Sequence, residues 1–524
     1  MGRCALNVIE LSLFASQITA VCDEMGAVLR RAAFSPNIKD RLDYSCAVFD
    51  PGGRLCAQAA HIPVHLGSMA YAMQGLVEQF SWAPGDMVIV NDPYLGGTHL
   101  PDITLIAPVF VNDCCAGYVA NRAHHADIGA HTPGSMPISR TLAEEGLVIP
   151  PTRLLRAGKQ VADDWQKIIH HTANPMQMEG DLAAQISANH AGVARVLQLI
   201  ARNTETYLAG LNAVNDYGAR LADQALAAIP EGCYRFNDVM DDDGLGTDDI
   251  RIEVSIQVSK GSIDVDFTGT DAQVAGNINC PLSVAAAAVY YVFRCLMPAH
   301  TPACAGSFQN IHLHAPVGCL VNAERPSAVA AGNVETSSRI VDVVMGALAQ
   351  ALPGHIPAAS QGTMNNLAMG SRQQNNCWDY YETLGGGTGG GAHAAGLSAR
   401  QSHMTNTLNT PIEVLETLFP LRVWRYQLRT ASGGRGEHPG GDGLTREYEF
   451  LAPATVTLLS ERRRYSPWGL RGGGAGAKGE NHLDGRLLPG KKSLDVAAGQ
   501  RLQISTPGGG GWGAVNLETG DALR

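Results

Sequence analysis

NDPYLGGTHLPDITLIAPVF (91–110), continued by VNDCCAGYVANRAHHADIGAHTPG (111–134), is the stretch on which the fold turns. Two strand-like runs flank Asn112–Asp113, a pair suited to a tight turn, so the segment reads as a β-hairpin. Pairing Phe110 near Gly117 sets Asp102 opposite His125. The pattern H-x-x-D occurs twice, at His99/Asp102 and His124/Asp127, and the hairpin carries both to its open end between glycine-rich loops. A lone histidine more often caps a turn or packs in a core than binds anything. Three histidines and two aspartates gathered at one hairpin end point instead to a metal. Neutral imidazoles with carboxylates, and no cysteine at that end, suit a divalent transition metal such as Mn, Fe or Zn. Such an ion activates water or polarises a carbonyl. Asp40 or Asp43, on the preceding hairpin, offers a further carboxylate, and His131 reads as supporting or solvent-facing.

Outward from the hairpin, residues 7–34 and 66–80 carry helical periodicity, and 40–50 with 54–59 form an earlier hairpin around PGG (51–53). Residues 176–228 read as a long helical region. A boundary falls at Ile229-Pro230-Glu231-Gly232. Beyond it RIEVSIQVSKGSIDVDFTGT (251–270) alternates as two strands turning at Lys260–Gly261, and 282–297 and 340–352 read as helices. The expectation is an α+β, multi-domain chain of mixed sheets, helices and glycine-rich turns. Residues 1–228 form a metal-binding N-terminal domain and 229–524 a β-rich, glycine-rich C-terminal region.

Composition narrows the function. Across 524 residues, 38 Lys+Arg against 49 Asp+Glu leave a net charge of −11, which excludes nucleic acid as the main partner. No run of 18 apolar residues crosses a membrane, and the N-terminal stretch lacks a leader's apolar core. Twelve cysteines without a CxxC fit a reducing, cytoplasmic setting rather than a disulfide scaffold. Of 59 glycines, dense runs stand at 385–391, 432–443, 469–479 and 506–513, which read as tight turns ahead of phosphate cradles, because no GxxxxGK[ST] is present. SERRRYSPWGLRGG (460–473) reads as a solvated or interface segment, and Ser135, Ser432 and Cys46 lack any nucleophile motif.

Longer motifs carry a resemblance. SPNIKDRLDYSCAVFD (35–50), the hairpin itself, EEGLVIPP (144–151), GDLAAQ (180–185), DFTGTDAQVAGNIN (266–279), GGTGGG (386–391), TNTLNTPIEVLE (405–416), SGGRG (432–436) and TPGGGGWG (506–513) together resemble the hydantoinase B/oxoprolinase family, relatives of acetone and acetophenone carboxylase subunits. The resemblance implies a hetero-oligomer with a hydantoinase A-type ATPase subunit, which uses ATP to phosphorylate a small cyclic amide. It further implies a metal held by Asp40, His99, Asp102 and His124, ranking Asp40 ahead of Asp43. Metal-bound water then opens the ring, His125 shuttles a proton and Asp127 orients an imidazole. The chain departs from the family pattern at Ala130, Ala173 and Pro439, positions expected to bear on substrate rather than metal. Two other readings stand beside this one: a subunit of an ATP-dependent ketone carboxylase, and a non-catalytic scaffold for the ATPase.

Overall fold

The computed structural model describes residues 6–59, 62–373 and 376–515, so residues 1–5 of the N-terminal stretch read above lie outside it. The N-terminal half is built on a seven-stranded sheet of β1 (Tyr44–Phe49), β2 (Leu55–Ala59), β3 (Met87–Val90), β4 (Asp102–Val111), β5 (Cys114–His124), β6 (Thr152–Arg156) and β7 (Lys159–Gln160). Their order is β2-β1-β5-β4-β3-β6-β7, with every neighbouring pair antiparallel. Helices cover both faces. On one lie α1 (Val8–Ala32) and, beyond the short α2 (Pro36–Lys39), α3 (His65–Gln79) and α4 (Ala162–His170), the long α5 (Pro175–Ile200). Phe14, Ile18, Val21, Met25 and Leu29 of α1 recur at helical spacing and pack on Cys46, Val48, Ala107 and Val119 of the sheet. On the opposite face Met69, Met73 and Leu76 of α3 pack on Phe49, Ile106 and Tyr118. Burial on both faces explains why β1 is apolar almost throughout rather than alternating.

The predicted long helical region divides at Ala201–Asn203, where Asn203 caps α6 (Thr204–Ala227) by accepting from Thr206 N. The next strand, β8 (Gly232–Asp242), begins just past the expected boundary, and β9 (Asp248–Ser259) and β10 (Ser262–Asp266) follow. The Lys260–Gly261 turn has φ of +49° and +81°, as a tight hairpin connection requires. Strand β11 (Ile311–His314) adds parallel to β10, and α7 (Leu282–Leu296) and α8 (Ser337–Ala351) pack together, with α8 lying on β8 and β9. The largest apolar core joins this unit to Ile62, Val64 and Met136 of the N-terminal half.

Two further sheets close the chain. One contains β12 (Asn366–Gln373) and β13 (Asn376–Glu382) with strands 454–459 and 491–496, and the other strands 421–429, 443–450, 480–483, 486–488 and 501–505. Leu367, Met369 and Tyr380 of the first meet Tyr448, Phe450 and Ile504 of the second.

The glycine runs correct the expectation of tight turns. Among the glycines of 385–391, 432–443, 469–479 and 506–513, only Gly472 and Gly513 have positive φ, at +91° and +74°. The rest lie in segments laid backbone against backbone: Gly390 N donates to Gly510 O, Gly434 N to Gly509 O and Gly509 N to Gly441 O, at 2.8–2.9 Å. A Cβ on Gly387 would lie 1.9 Å from Gly441 O, and one on Gly509 2.0 Å from Thr388 O. Only glycine permits that approach.

Candidate metal centre

Gly96 and Gly97 turn the chain back over the start of β4. Gly96 sits at φ +93°, and a Cβ on Gly97 would come within 2.7 Å of the Asn91 and Asp92 carbonyl oxygens. Asn91 staples the loop, donating to Leu100 O and Leu147 O and accepting from Ile149 N. This sets His99 and Asp102 at the mouth of the hairpin. The sequence-based register is off by one: Gly117 pairs with Val109 rather than Phe110, beside a shift in the ladder between Val109 and Phe110. Asp102 therefore pairs with His124, not His125. Side chains alternate along a strand, so this single residue decides which histidine shares a face with Asp102.

His99 Nε2, Asp102 Oδ1 and His124 Nδ1 converge, each 3.2 Å from the other two. The three residues are 1–2% exposed. His99 Nδ1 faces the Ala330 carbonyl at 3.2 Å, which fixes the proton on Nδ1 and leaves the Nε2 lone pair toward the cluster. Asp102 Oδ2 is held by Thr98 Oγ1 at 2.5 Å and by His65 Nε2 at 3.3 Å, and His65 Nδ1 meets Ser45 Oγ at 3.0 Å. The His124 ring stacks on Tyr381, centroids 4.7 Å apart, and Arg41 lies over the far ring at 5.0 Å. Burial disfavours the Asp102 anion, but the surrounding histidines outweigh it and hold the carboxyl well below its ordinary range. Burial pulls His124 down, favouring the neutral imidazole. Burial acts the same way on His99, but the Asp102 charge overcomes it and raises that group.

The cavity around these atoms is lined by Asp43, His65, Asn333, Thr383 and Thr405 together with apolar side chains. Asp43, immediately before β1, lies beside His124 because its carbonyl accepts the His124 N–H at 3.0 Å. Asp40 does not line it: it ends α2, half-buried, and burial raises its carboxyl against Lys39 and Arg30. His125 faces the other side of the sheet, its Nε2 3.0 Å from Gln185 Oε1 of α5. Asp127 accepts backbone N–H groups of Gly129, Ala173 and Asn174, and so ties loops together away from the cluster. His131 is exposed. Ser135 Oγ accepts from Ile128 N, Ser432 Oγ from Gly443 N, and the buried Cys46 thiol is pushed well above its usual range. Arg462 is not solvated but buried between Asp238 and Asp342, at 2.8 and 2.6 Å. His65 and Asn333 escaped the sequence reading, although His65 stands four residues after His61, a spacing that could have flagged it.

Two imidazole nitrogens and a carboxylate oxygen, mutually close and turned toward one another, fit a divalent cation. His124 Nε2 is also buried without a partner in the protein. Residues 7–515 match the hydantoinase B/oxoprolinase family. The chain is 39% identical over 543 residues to 5-oxoprolinase 1 of Arabidopsis thaliana, covering 97% of this chain and 42% of that one. It thus spans about two fifths of the length of that relative. It is 30% identical to the B component of a putative D-/L-hydantoinase from a Pseudomonas species, covering 97% of this chain and 90% of the relative. The crystal structure of an ATP-dependent caprolactamase from Pseudomonas jessenii superposes with a TM-score of 0.92 at 26% identity, over 98% of this chain and 93% of that one.

Proposed function

The chain belongs to the hydantoinase B/oxoprolinase family, and from that premise we propose that it is the hydrolytic subunit of an ATP-dependent cyclic amide hydrolase. Its partner is a hydantoinase A-type ATPase that phosphorylates the amide oxygen, so ATP is consumed there and the hetero-oligomer works in the cytoplasm. His99, Asp102 and His124 hold one divalent transition metal, and Asp43 takes the place that the resemblance gave to Asp40. The observation that carries this reading is the mutual 3.2 Å approach of three buried donor atoms.

A divalent ion on nitrogen and oxygen donors lowers the pKa of bound water toward ~7, which supplies a nucleophile at neutral pH. The protein's own groups prepare the site. Thr98 and His65 occupy one oxygen of Asp102 and leave the other free to face the histidines. The Ala330 carbonyl keeps the His99 proton on the far nitrogen. Ile62, Val64, Met364 and Met404 wall the cavity, so competing water is excluded from an activated substrate. His125 and Asp127, on the other side of the hairpin, take no part in this arrangement.

The test is to prepare the chain with its ATPase partner and assay a panel of lactams, hydantoins and 5-oxoproline. Neither protein alone should open a ring, and the pair should do so only with ATP and about one metal ion per chain. A fully active metal-free complex would sink the metal assignment. ATP-dependent fixation of labelled bicarbonate into a ketone, without ring opening, would assign the complex to the carboxylases instead.

A further inference from the structure

We propose that Asn333 recognises the ring N–H of the cyclic amide, an inference that rests on the hydrolase reading above. Asn333 stands in a single π-turn, Gly332–Thr336, at the entrance to α8. Such turns widen a helix locally and re-aim side chains. This one is fixed from several directions. Ala331 N and Gly332 N both donate to Asn277 O, at 3.0 and 3.1 Å, and a Cβ on Gly332 would meet Asn279 O at 1.8 Å. Glu335 accepts from Met364 N and Asn366 Nδ2, and Ser337 Oγ donates to Asn333 O at 2.5 Å.

The turn presents Asn333 to the cavity that contains the metal donors, where the residue is 3% exposed. Its Oδ1 is buried and accepts no hydrogen bond. An acceptor left in that state is unfavourable in the free protein, so a ligand with a donor at that place gains what the protein forgoes. Three neighbouring hydroxyls are already committed: Thr383 Oγ1 to Arg41 and Thr407, Thr405 Oγ1 to Thr407, and Tyr381 Oη to Asn366. Val334, Met364 and Met404 supply apolar walls around that acceptor. Phosphorylation of a secondary amide's oxygen leaves the nitrogen's proton in place on a protonated imidate, which brings an N–H donor to such a site. A ketone brings none, so the unmet acceptor selects for the amide.

The complex with the ATPase is assayed on one secondary lactam as wild type, Asn333→Leu and Asn333→Asp, with metal content and melting temperature measured on the same preparations. Leucine removes the acceptor at similar volume. It should lower kcat/KM ~10–100-fold, mostly through KM, with metal and melting temperature unchanged. Aspartate keeps an acceptor and should stay within about fivefold of wild type. Should the leucine variant not fold, Asn333→Ala gives the same comparison. A leucine or alanine variant within threefold of wild type overturns the inference, as does an aspartate variant that loses as much as leucine. A wild-type complex that opens no cyclic amide defeats the hydrolase reading itself, and is told apart by the wild type alone.

Discussion

Asp102 engages both of its carboxylate oxygens, and the two do different work. Oδ1 faces His99 and His124, while Oδ2 is fixed by Thr98 and His65. His99→Ala, Asp102→Ala and His124→Ala should therefore each strip the metal and abolish ring opening, read by elemental analysis and coupled assay. His65→Ala should weaken metal affinity or activity by ~10–100-fold, as loss of a ligand's partner does. Asp43→Asn against Asp40→Asn decides the fourth donor: the first should lose metal and the second keep it. Glu145 behaves differently. Burial lifts its carboxyl to about 7, although Ser139 and the N–H groups of Val329 and Ala330 donate to one oxygen. Its folded value lies above the unfolded one, so the protonated acid favours the fold below about pH 4.5. That contribution fades as pH rises through about 7 and amounts to about 3 kcal/mol at most. Glu145→Gln should remove this slope, seen as a flatter melting temperature between pH 5 and 8 than wild type.

At the scale of elements, the β4–β5 hairpin sets which side chains meet, and its register depends on the irregularity beside Val109 and Phe110. Gly117, opposite Val109, has φ +144°, and a Cβ there would lie 2.4 Å from the Phe49 carbonyl oxygen of β1. Gly117→Ala should thus cost about 2–4 kcal/mol, combining backbone strain with a clash that only strand movement relieves. Chemical denaturation measures it. A variant as stable as wild type would show that the edge between β1 and β5 yields more easily than the geometry indicates. Because β1 also carries Asp43 to His124, the same variant should bind metal less tightly.

On the scale of the whole molecule, the N-terminal sheet supplies the metal donors, but other parts of the chain complete their surroundings. Ala330 and Asn333 come from the approach to α8, and Tyr381 from β13. Packing of the glycine segments holds the C-terminal portion together with almost no side chains between strands of backbone. Gly387→Ala or Gly509→Ala should destabilise the fold by at least ~3 kcal/mol, since backbone on both sides has nowhere to move. Soluble yield and melting temperature check this. Alanine at Gly354, where a Cβ meets nothing within 4 Å, serves as the control. No helix among the described residues is long and apolar enough to cross a membrane.

The sequence by itself determined the α+β class, the main helices, both N-terminal hairpins and the gathering of His99, Asp102 and His124 at one hairpin end. Each is a local pattern: a helical or strand period, a turn pair, a spacing. Tertiary structure alone decided that Asp102 faces His124, because a one-residue ladder shift leaves no trace in composition and yet exchanges the two faces of a strand. It also decided that Asp43 rather than Asp40 lines the cavity, that His65 supports Asp102, and that Asn333 reaches the site from more than 200 residues away. These depend on which distant segments pack together. The glycine runs had the same limit. Their sequence permits turns, phosphate loops and close-packed backbone alike, and only the neighbouring chain, approaching to where a Cβ would lie, selects among them.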